Sequence, residues 1–332
     1  MKAILEKLIA GESLAPNDAR SVMLRIMEGE FTTAQIAGFL IALKIKGETA
    51  GEIAGFAGAM RNKATRINTN DPSAVDCCGV GGDGSGSFNI STAAAIVAAA
   101  AGARLAKHGN RSVSSKCGSA DVLEALGVNI DPGVEKTEQN LRDLGICFMF
   151  APRFHPAMKY AMPARRELGV RTVFNMLGPL SNPARVKRQL LGVYSREVMS
   201  LFANALVELD VEHALVVYSS EGMDEISSQA STFAIEVKSG SLKEYSITPN
   251  DFGLANPIKG SLAGGDSERN AEIMRETLSG AMTAYREATL VNAAATLYVA
   301  GKSSDLREGY KVAEKAIDDG RAKSILDSWI QS

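Results

Sequence analysis

The chain changes its hydrophobic period once, near residue 67, and that change constrains the fold more than any other feature. Before it, apolar residues recur at three- and four-residue spacing: Ile4, Leu5 and Leu8; Val22, Met23 and Ile26; Ile36, Phe39, Leu40 and Leu43; Ile53, Phe56 and Met60. Such spacing puts each set on one face of a helix. Thr32 with Gln35, and Thr49 with Glu52, stand at the distance of a capping box, in which two side chains satisfy the free backbone donors at a helix start. Short glycine-containing connections, GES and GEF, separate the helices. Residues 1–66 are therefore expected to form a small all-helical domain.

The polar turn INTNDPS follows, and residues 67–72 read as a hinge. From there short β-like runs alternate with helical stretches: SAVDC, a helix from about Thr92, ARLAKHG, the helix SADVLEALG, then GICFMFAP, QLLGVY and EHALVVYS. This alternation predicts a large α/β domain over residues 73–332, with a central, partly parallel sheet flanked by helices. Ligands of such sheets bind beyond the carboxyl ends of the strands. TFAIEV, the turn KSGS and LKEYSI read as a hairpin. From Asp266 onward the chain is mainly helical, with Ile273, Leu278 and Met282, then Val312, Ala316 and Ile317, as partial apolar stripes.

Hydrophobic residues make up 45% of the 332 and charged residues 22%, the composition of a folded soluble protein. A formal net charge of -2 argues against coating of nucleic acid, which calls for a basic excess. The most apolar stretch, AAAIVAAAAGARLA, breaks at Gly102 and Arg104, is too short for a bilayer and reads as a buried helix; no membrane partner is expected. The first residues show no signal-peptide pattern, so a cytoplasmic location is expected. Cys77, Cys78, Cys117 and Cys147 form no CxxC pair, which points to reduced thiols rather than zinc or disulfides.

Gly79, Gly81, Gly82, Gly84 and Gly86 lie between a predicted strand and Ser91 and Thr92, which can open the next helix. Such a loop lets backbone N–H groups approach an anion, and the helix start adds donors and partial positive charge. The spacing matches neither a P-loop nor a dinucleotide fingerprint. Asp83 is out of place in a pure phosphate cradle; a sugar hydroxyl or a metal-bound water would suit it. The loop KHGNRSVSSKCGSAD again follows a strand. Lys107, Arg111 and Lys116 can neutralise phosphate, Ser112, Ser114, Ser115 and Ser119 can donate to it, and Ser119 or Asp121 can start the helix after it. Asp224 and Glu225, at a turn after a strand, either hold magnesium or are solvated surface.

Taken together, GVGGDGSGSFNIST, KHGNRSVSS, GSADVLEALG, RRELGVRTVFNMLGPLSNP and GMDE, in this order, resemble the anthranilate phosphoribosyltransferase family, of the nucleoside phosphorylase and phosphoribosyltransferase-like fold, over nearly the whole chain. The resemblance implies a helical domain completed by a helical segment near 160–185, a cleft between the domains, and a homodimer formed through the helical domains. It implies transfer of phosphoribosyl from phosphoribosyl pyrophosphate (PRPP) to the amine of anthranilate, with Mg2+, two ions being expected. Gly79, Gly82, Asp83, Ser87, Asn89, Ile90, Ser91 and Thr92 match the first PRPP loop. Lys107, His108, Gly109, Asn110, Arg111, Ser112, Val113, Ser114, Ser115 and Ser119 match the second. Ser91, Asp224 and Glu225 match metal ligands. Arg165, Asn110 and Gly79 match anthranilate contacts, with His108, Gly178 and Pro179 beside them; on the residues alone, Arg166 is an equal candidate to Arg165. No obligatory general base is assigned.

Val80, Ser87, Cys117 and Met223 depart from the family's usual Thr, Thr, Ser and Leu, and only Val80 loses a hydroxyl in the phosphate loop. Two rival readings share the fold. A pyrimidine nucleoside phosphorylase has no use for Asp224, Glu225 and Arg165, and a non-enzymatic nucleic-acid-binding relative conflicts with the net charge of -2.

Overall fold

The computed structural model describes residues 1–112 and 116–332. Four helices open it: α1 (Lys2–Ile9), α2 (Pro16–Met27), α3 (Thr33–Lys46) and α4 (Ala50–Lys63). Their apolar stripes meet in one core, where Phe39 and Phe56 pack edge to face with centroids 5.9 Å apart. Both capping boxes form. Glu52 does more than cap its own helix: one carboxylate oxygen accepts from Leu14 N at 2.9 Å and the other from Lys46 Nζ at 2.8 Å. A fully buried acid is tolerable here because both oxygens have donors and the buried Lys46 ammonium balances the charge.

Seven strands follow: β1 (Val75–Gly79), β2 (Leu105–Gly109), β3 (Ile146–Phe150), β4 (Arg188–Gly192), β5 (His213–Ser219), β6 (Thr232–Lys238) and β7 (Ser241–Ile247). They form one sheet in the order β3-β2-β1-β4-β5-β6-β7, parallel from β1 to β5 and closed by the antiparallel pairs β5–β6 and β6–β7. The predicted hairpin is thus the last two strands. Alternate residues face opposite sides, as the period of two requires. Cys77, Leu190, Leu215 and Val217 face one core, and Leu191, Val193, Ala214, Val216 and Val237 face the other.

The first core is covered by α5 (Ile90–Ala100), α6 (Ser119–Leu126), α12 (Ser267–Leu278), α13 (Ala284–Val299), α14 (Leu306–Asp318) and α15 (Arg321–Ile330), while α7 (Val134–Leu144) packs beside β3. Helix α5 is buried all round between the sheet and α13; its alanines allow that close approach. The second core takes α11 (Met199–Glu208), α9 (Met162–Leu168), α10 (Phe174–Leu177) and α1–α4, while the short helix α8 (Ala151–Phe154) follows β3. Residues 64–74 form neither helix nor strand, yet Ile67 is buried among Ala106, Cys147 and Phe154.

Two predicted helix features differ from the structure. Helix α5 begins at Ile90, before the hydroxyl pair Ser91 and Thr92, because a carboxylate brought from Glu225 accepts the Ser91 N–H at 3.1 Å. Met282 lies beyond the end of α12 and is 72% exposed, so the apolar stripe stops at Leu278. Among the described residues no helix is long and apolar enough to cross a membrane, and none of the four cysteines is in a disulfide.

Candidate active site

The carboxyl ends of β1, β2, β4 and β5 all point to one side, and the loops that leave them build a single cleft. Gly79 and Gly192 are register partners at the ends of β1 and β4. A Cβ on Gly192 would stand 1.6 Å from the backbone oxygen of Asp224, and one on Gly79 would stand 2.2 Å from its carboxylate. Only bare backbone at both strand ends lets the turn after β5 fold over the sheet. Asp224 then accepts the Gly81 N–H at 2.8 Å.

Gly82, at φ +78, leaves its carbonyl facing Arg171, whose two Nη atoms donate to Gly81 O and Gly82 O at 3.3 Å. The Arg171 guanidinium also lies 4.5 Å from the Tyr194 ring. A Cβ on Gly82 would fall 1.8 Å from Arg171 Nη1. Gly82→Ala combines that collision with a left-handed backbone penalty of about 1–2 kcal/mol, and we expect at least a tenfold loss of turnover with the fold retained, checked by steady-state rates beside a thermal melt.

Asp83 finds its partner across the cleft: its carboxylate accepts the backbone N–H of Asp224 at 3.2 Å. Asp83, Asp224 and Glu225 thus crowd one wall, with Asp76 and Lys107 buried behind them. Burial, and then the neighbouring Asp83, push the Asp224 carboxyl up to about 7. Burial and then Asp224 hold Glu225 well above the usual carboxylate range. Lys107 donates to Cys77 O at 2.6 Å and to Ser91 Oγ at 3.4 Å; burial opposes its charge, but Cys77, Asp76 and Glu225 outweigh it and push its pKa up. One buried ammonium does not balance four carboxylates, so the wall is short of positive charge. Magnesium fits such a donor set. No three Asp, Glu, His or Cys side chains among the described residues form a closed cage, and magnesium typically takes one or two carboxylates and completes its shell with water and substrate phosphate.

On the second loop, Arg111 pairs with Asp121 at 3.1 Å and Glu124 at 2.7 Å, so its charge is partly engaged within the protein. Gly118 is the N-cap of α6, Ser119 opens the helix, and Asp121 at the third position accepts from Gly118 N and Ser112 N. Ser119 Oγ donates to Asn110 O. Lys116 is exposed and outside the cleft lining. Val113, Ser114 and Ser115 lie outside the described residues.

The facing wall comes from α9, α10 and the turn that follows. Arg165 is half-buried over the Phe174 ring, 5.3 Å from its centroid, whereas Arg166 is exposed and does not line the cleft. His108 Nδ1 lies 3.2 Å from Gly178 O and donates to it, which leaves Nε2 as a lone pair with no partner among the described residues. Burial, and then the ring of His155 with its centroid 5.0 Å away, push His108 down to about 3. The Gly178–Pro179 turn is fastened from below: Gln189 donates to Pro179 O, Arg61 to Leu180 O, and Asn182 to Asp76.

The cleft encloses about 440 Å³. Gly79, Gly82, Asp83, Ser87, Asn89, Ile90, Ser91, Thr92, Lys107, His108, Gly109, Asn110, Arg111, Ser112, Ser119, Arg165, Gly178, Pro179, Asp224 and Glu225 all line it. Thr92 Oγ1, like His108 Nε2, is buried there without a partner among the described residues. A more open hollow of about 560 Å³ beside Glu124, Asn129 and Phe150 shares only Arg111 with the cleft. Reading the residues one by one missed Arg171, Phe174 and Asn175, which also line the cleft. Their stretch, RTVFN, was visible only as part of a longer resemblance.

The family described as "Glycosyl transferase family, helical bundle domain" matches residues 2–64, and "Glycosyl transferase family, a/b domain" matches residues 71–323. The anthranilate phosphoribosyltransferase of Alkaliphilus metalliredigens is 48% identical over 331 residues, covering 100% of this chain and 98% of that protein. The crystal structure of anthranilate phosphoribosyltransferase from Thermus thermophilus superimposes with a TM-score of 0.92 at 42% identity, covering 99% of this chain and 98% of that one. The Saccharomyces cerevisiae enzyme in complex with PRPP and Mg gives 0.88 at 28% identity, covering 99% and 96%. With a strand-end cleft lined by glycine loop, acid pair and arginine, and with these similarities along its whole length, the chain belongs to the anthranilate phosphoribosyltransferase family.

Proposed function

We propose that the cleft transfers the phosphoribosyl group of PRPP to the amine of anthranilate and releases pyrophosphate. The observation that carries this reading is the pairing, in one cleft, of an anion-cradling loop beside acids short of a counter-charge with a half-buried arginine on the opposite wall. The yeast relative's complex with PRPP and Mg supports the donor and the metal, and its complex with 4-fluoroanthranilate supports the acceptor.

The donor's phosphates lie along the glycine loop and the start of α5, where backbone N–H groups and the helix dipole favour negative charge. Magnesium, held by Asp224, Glu225 and Ser91, would neutralise the pyrophosphate as it departs. Arg165 takes the acceptor's carboxylate in a charge-assisted contact, and Phe174 beside it offers an apolar face to the ring. The bond from C1 to the pyrophosphate oxygen breaks with its electron pair leaving on pyrophosphate, and the amine lone pair forms the new C1–N bond. The extra proton on nitrogen then leaves to water or pyrophosphate. His108 Nε2 can accept a hydrogen bond from the amine, which orients its lone pair without requiring an imidazolium. With His108 near 3 and His155 near 4, neither ring titrates between pH 6 and 8. His108→Gln should therefore lower the rate without changing the shape of the pH profile over that range, and a lost inflection near 6.5 would contradict it.

The proposal divides the chain into a helical domain, residues 1–66 with the segment near 160–185, and an α/β domain, residues 73–332, hinged at 67–72. It includes a cytoplasmic setting and a homodimer through the helices. Ile9, Ile45 and Met162 support the dimer, being large apolar side chains left exposed on α1, α3 and α9. The test is loss of anthranilate fluorescence when PRPP and magnesium are added, with light scattering on the same sample. A folded protein that leaves the fluorescence unchanged, or that releases free base from a pyrimidine nucleoside and phosphate, overturns the reaction. A particle with the mass of one chain overturns the dimer.

A further inference from the structure

Asn89 occupies the N-cap of α5, a position where asparagine ordinarily accepts a hydrogen bond from the helix start, yet its side chain caps nothing. The amide is turned sideways instead. Asn89 Oδ1 accepts from Asn270 Nδ2 at 2.9 Å and from Cys117 Sγ at 3.3 Å, and Asn89 Nδ2 donates to Cys117 O at 3.2 Å. Burial pushes the Cys117 thiol up to about 11, so it keeps the proton that it donates. A primary amide has two lone pairs and two N–H groups. Asn89 Oδ1 and one N–H are thereby engaged, the Cys117 thiol lying also 3.5 Å from Gly118 O, and among the described residues a single N–H is left on a residue that lines the cleft.

Asn270, on α12, fixes this orientation from one side and the Cys117 carbonyl from the other. The Asn270 side chain is 2% exposed, and its Oδ1 accepts Gly265 N at 2.8 Å, so the sense of its own amide is determined and only its Nδ2 faces Asn89. The chain just before α12 is stitched to the glycine loop. Phe88 N donates to Leu262 O and Gly264 N to Gly86 O, both at 2.9 Å, while Ser87 and Ala263 form an antiparallel bridge. Gly264 sits so close that a Cβ there would stand 2.9 Å from Phe88 Cα. Asn270 therefore reaches Asn89 from a strap bonded directly to the loop that carries it.

We propose that Asn270 is a positioning residue for the transfer reaction: it locks the Asn89 amide so that one N–H, and never the carbonyl, faces the donor's phosphate oxygens. The proposal rests on the reading of the cleft as a PRPP site. Without the Asn270 donor, the Asn89 amide is held only by its Cys117 contacts, so its N–H is less firmly aimed at an anion, and an acceptor at position 270 would pull Nδ2 away from the cleft and turn Oδ1 toward it. A hydrogen bond to a charged oxygen contributes enough that its loss weakens binding by about tenfold or more.

Asn270→Asp keeps the shape and the Gly265 contact but replaces the Nδ2 donor with an acceptor; Asn270→Ser withdraws the donor from Asn89 by shortening the side chain, without adding a charge. Each is expected to raise the KM for PRPP about tenfold, with the anthranilate KM and kcat within about twofold. Combined with Asn89→Ala, neither should add a further rise, because the group through which Asn270 acts is gone. An unchanged PRPP KM in folded variants, an equal rise in the Asn89→Ala background, or failure of both variants to fold overturns the proposal. A wild-type protein that never consumes anthranilate overturns the reaction itself; an active wild type without this coupling overturns only the role of Asn270.

Discussion

Asp224→Asn and Glu225→Gln, made together, are expected to lower turnover by about a thousandfold or more and, in metal-free buffer, to raise the melting temperature. Both effects follow from one arrangement. The wall gathers Asp83, Asp224 and Glu225 with Lys107 as its only buried cation among the described residues. Without a divalent ion, ionised carboxylates there repel one another in a medium that solvates them poorly. The amides keep the shape and remove the repulsion. With PRPP present the balance reverses, since phosphate oxygens cannot approach uncompensated acids and need the cation that those acids would hold.

The pH dependence has a definite sign. The Asp224 carboxyl ionises near 3.8 in an unfolded chain and near 7 in the fold. Below pH 4 it is protonated in both states and contributes nothing. Between pH 4 and 7 the unfolded chain gives up the proton while the fold keeps it, so the metal-free fold loses stability with rising pH, at about 1.4 kcal/mol per unit of separation. The gap in melting temperature between wild type and double variant should therefore widen from pH 4 to 7 and close when millimolar magnesium is added. Near-normal turnover in the double variant, or a wild-type melting temperature indifferent to magnesium, would count decisively against a metal at this wall.

The elements of this fold were legible because they follow from local rules. Thr32 and Thr49 cap where their spacing says, and the strands from Val75 to Ile247 begin and end within a few residues of their apolar runs. What could not be read locally is which polar groups meet. Asp83 is 141 positions from the Asp224 N–H that it accepts, and Asn89 is 181 from Asn270. The same blindness displaced the start of α5: local reasoning sought its cap in Ser91 and Thr92, and the chain supplies a carboxylate from Glu225 instead. Arg171 shows no period, and contacts far along the chain give it a place: Gly81 O and Gly82 O on one side and the Tyr194 ring on the other. Periodicity reports burial, whereas sites are made by convergence across the chain.

Arg165→Ala is expected to raise the KM for anthranilate about a hundredfold while leaving that for PRPP within about twofold. The guanidinium is half-buried, its described contacts are Met162 Sδ at 3.7 Å and the Phe174 ring, and burial alone lowers its pKa. A cation held in that state lacks the counter-charge that a buried charge normally has, and an incoming carboxylate supplies it. Arg165→Lys should recover only part of the loss, since an ammonium cannot meet a carboxylate with two parallel N–H bonds. The sharper test uses the ligand as the second mutation. Aniline has the amine and the ring without the carboxylate, so wild type should prefer anthranilate strongly and Arg165→Ala should prefer it little. If the variant kept the wild-type preference, or if its PRPP KM rose as much as its anthranilate KM, Arg165 would not be the group that reads the acceptor's carboxylate, and the facing wall would need another cation.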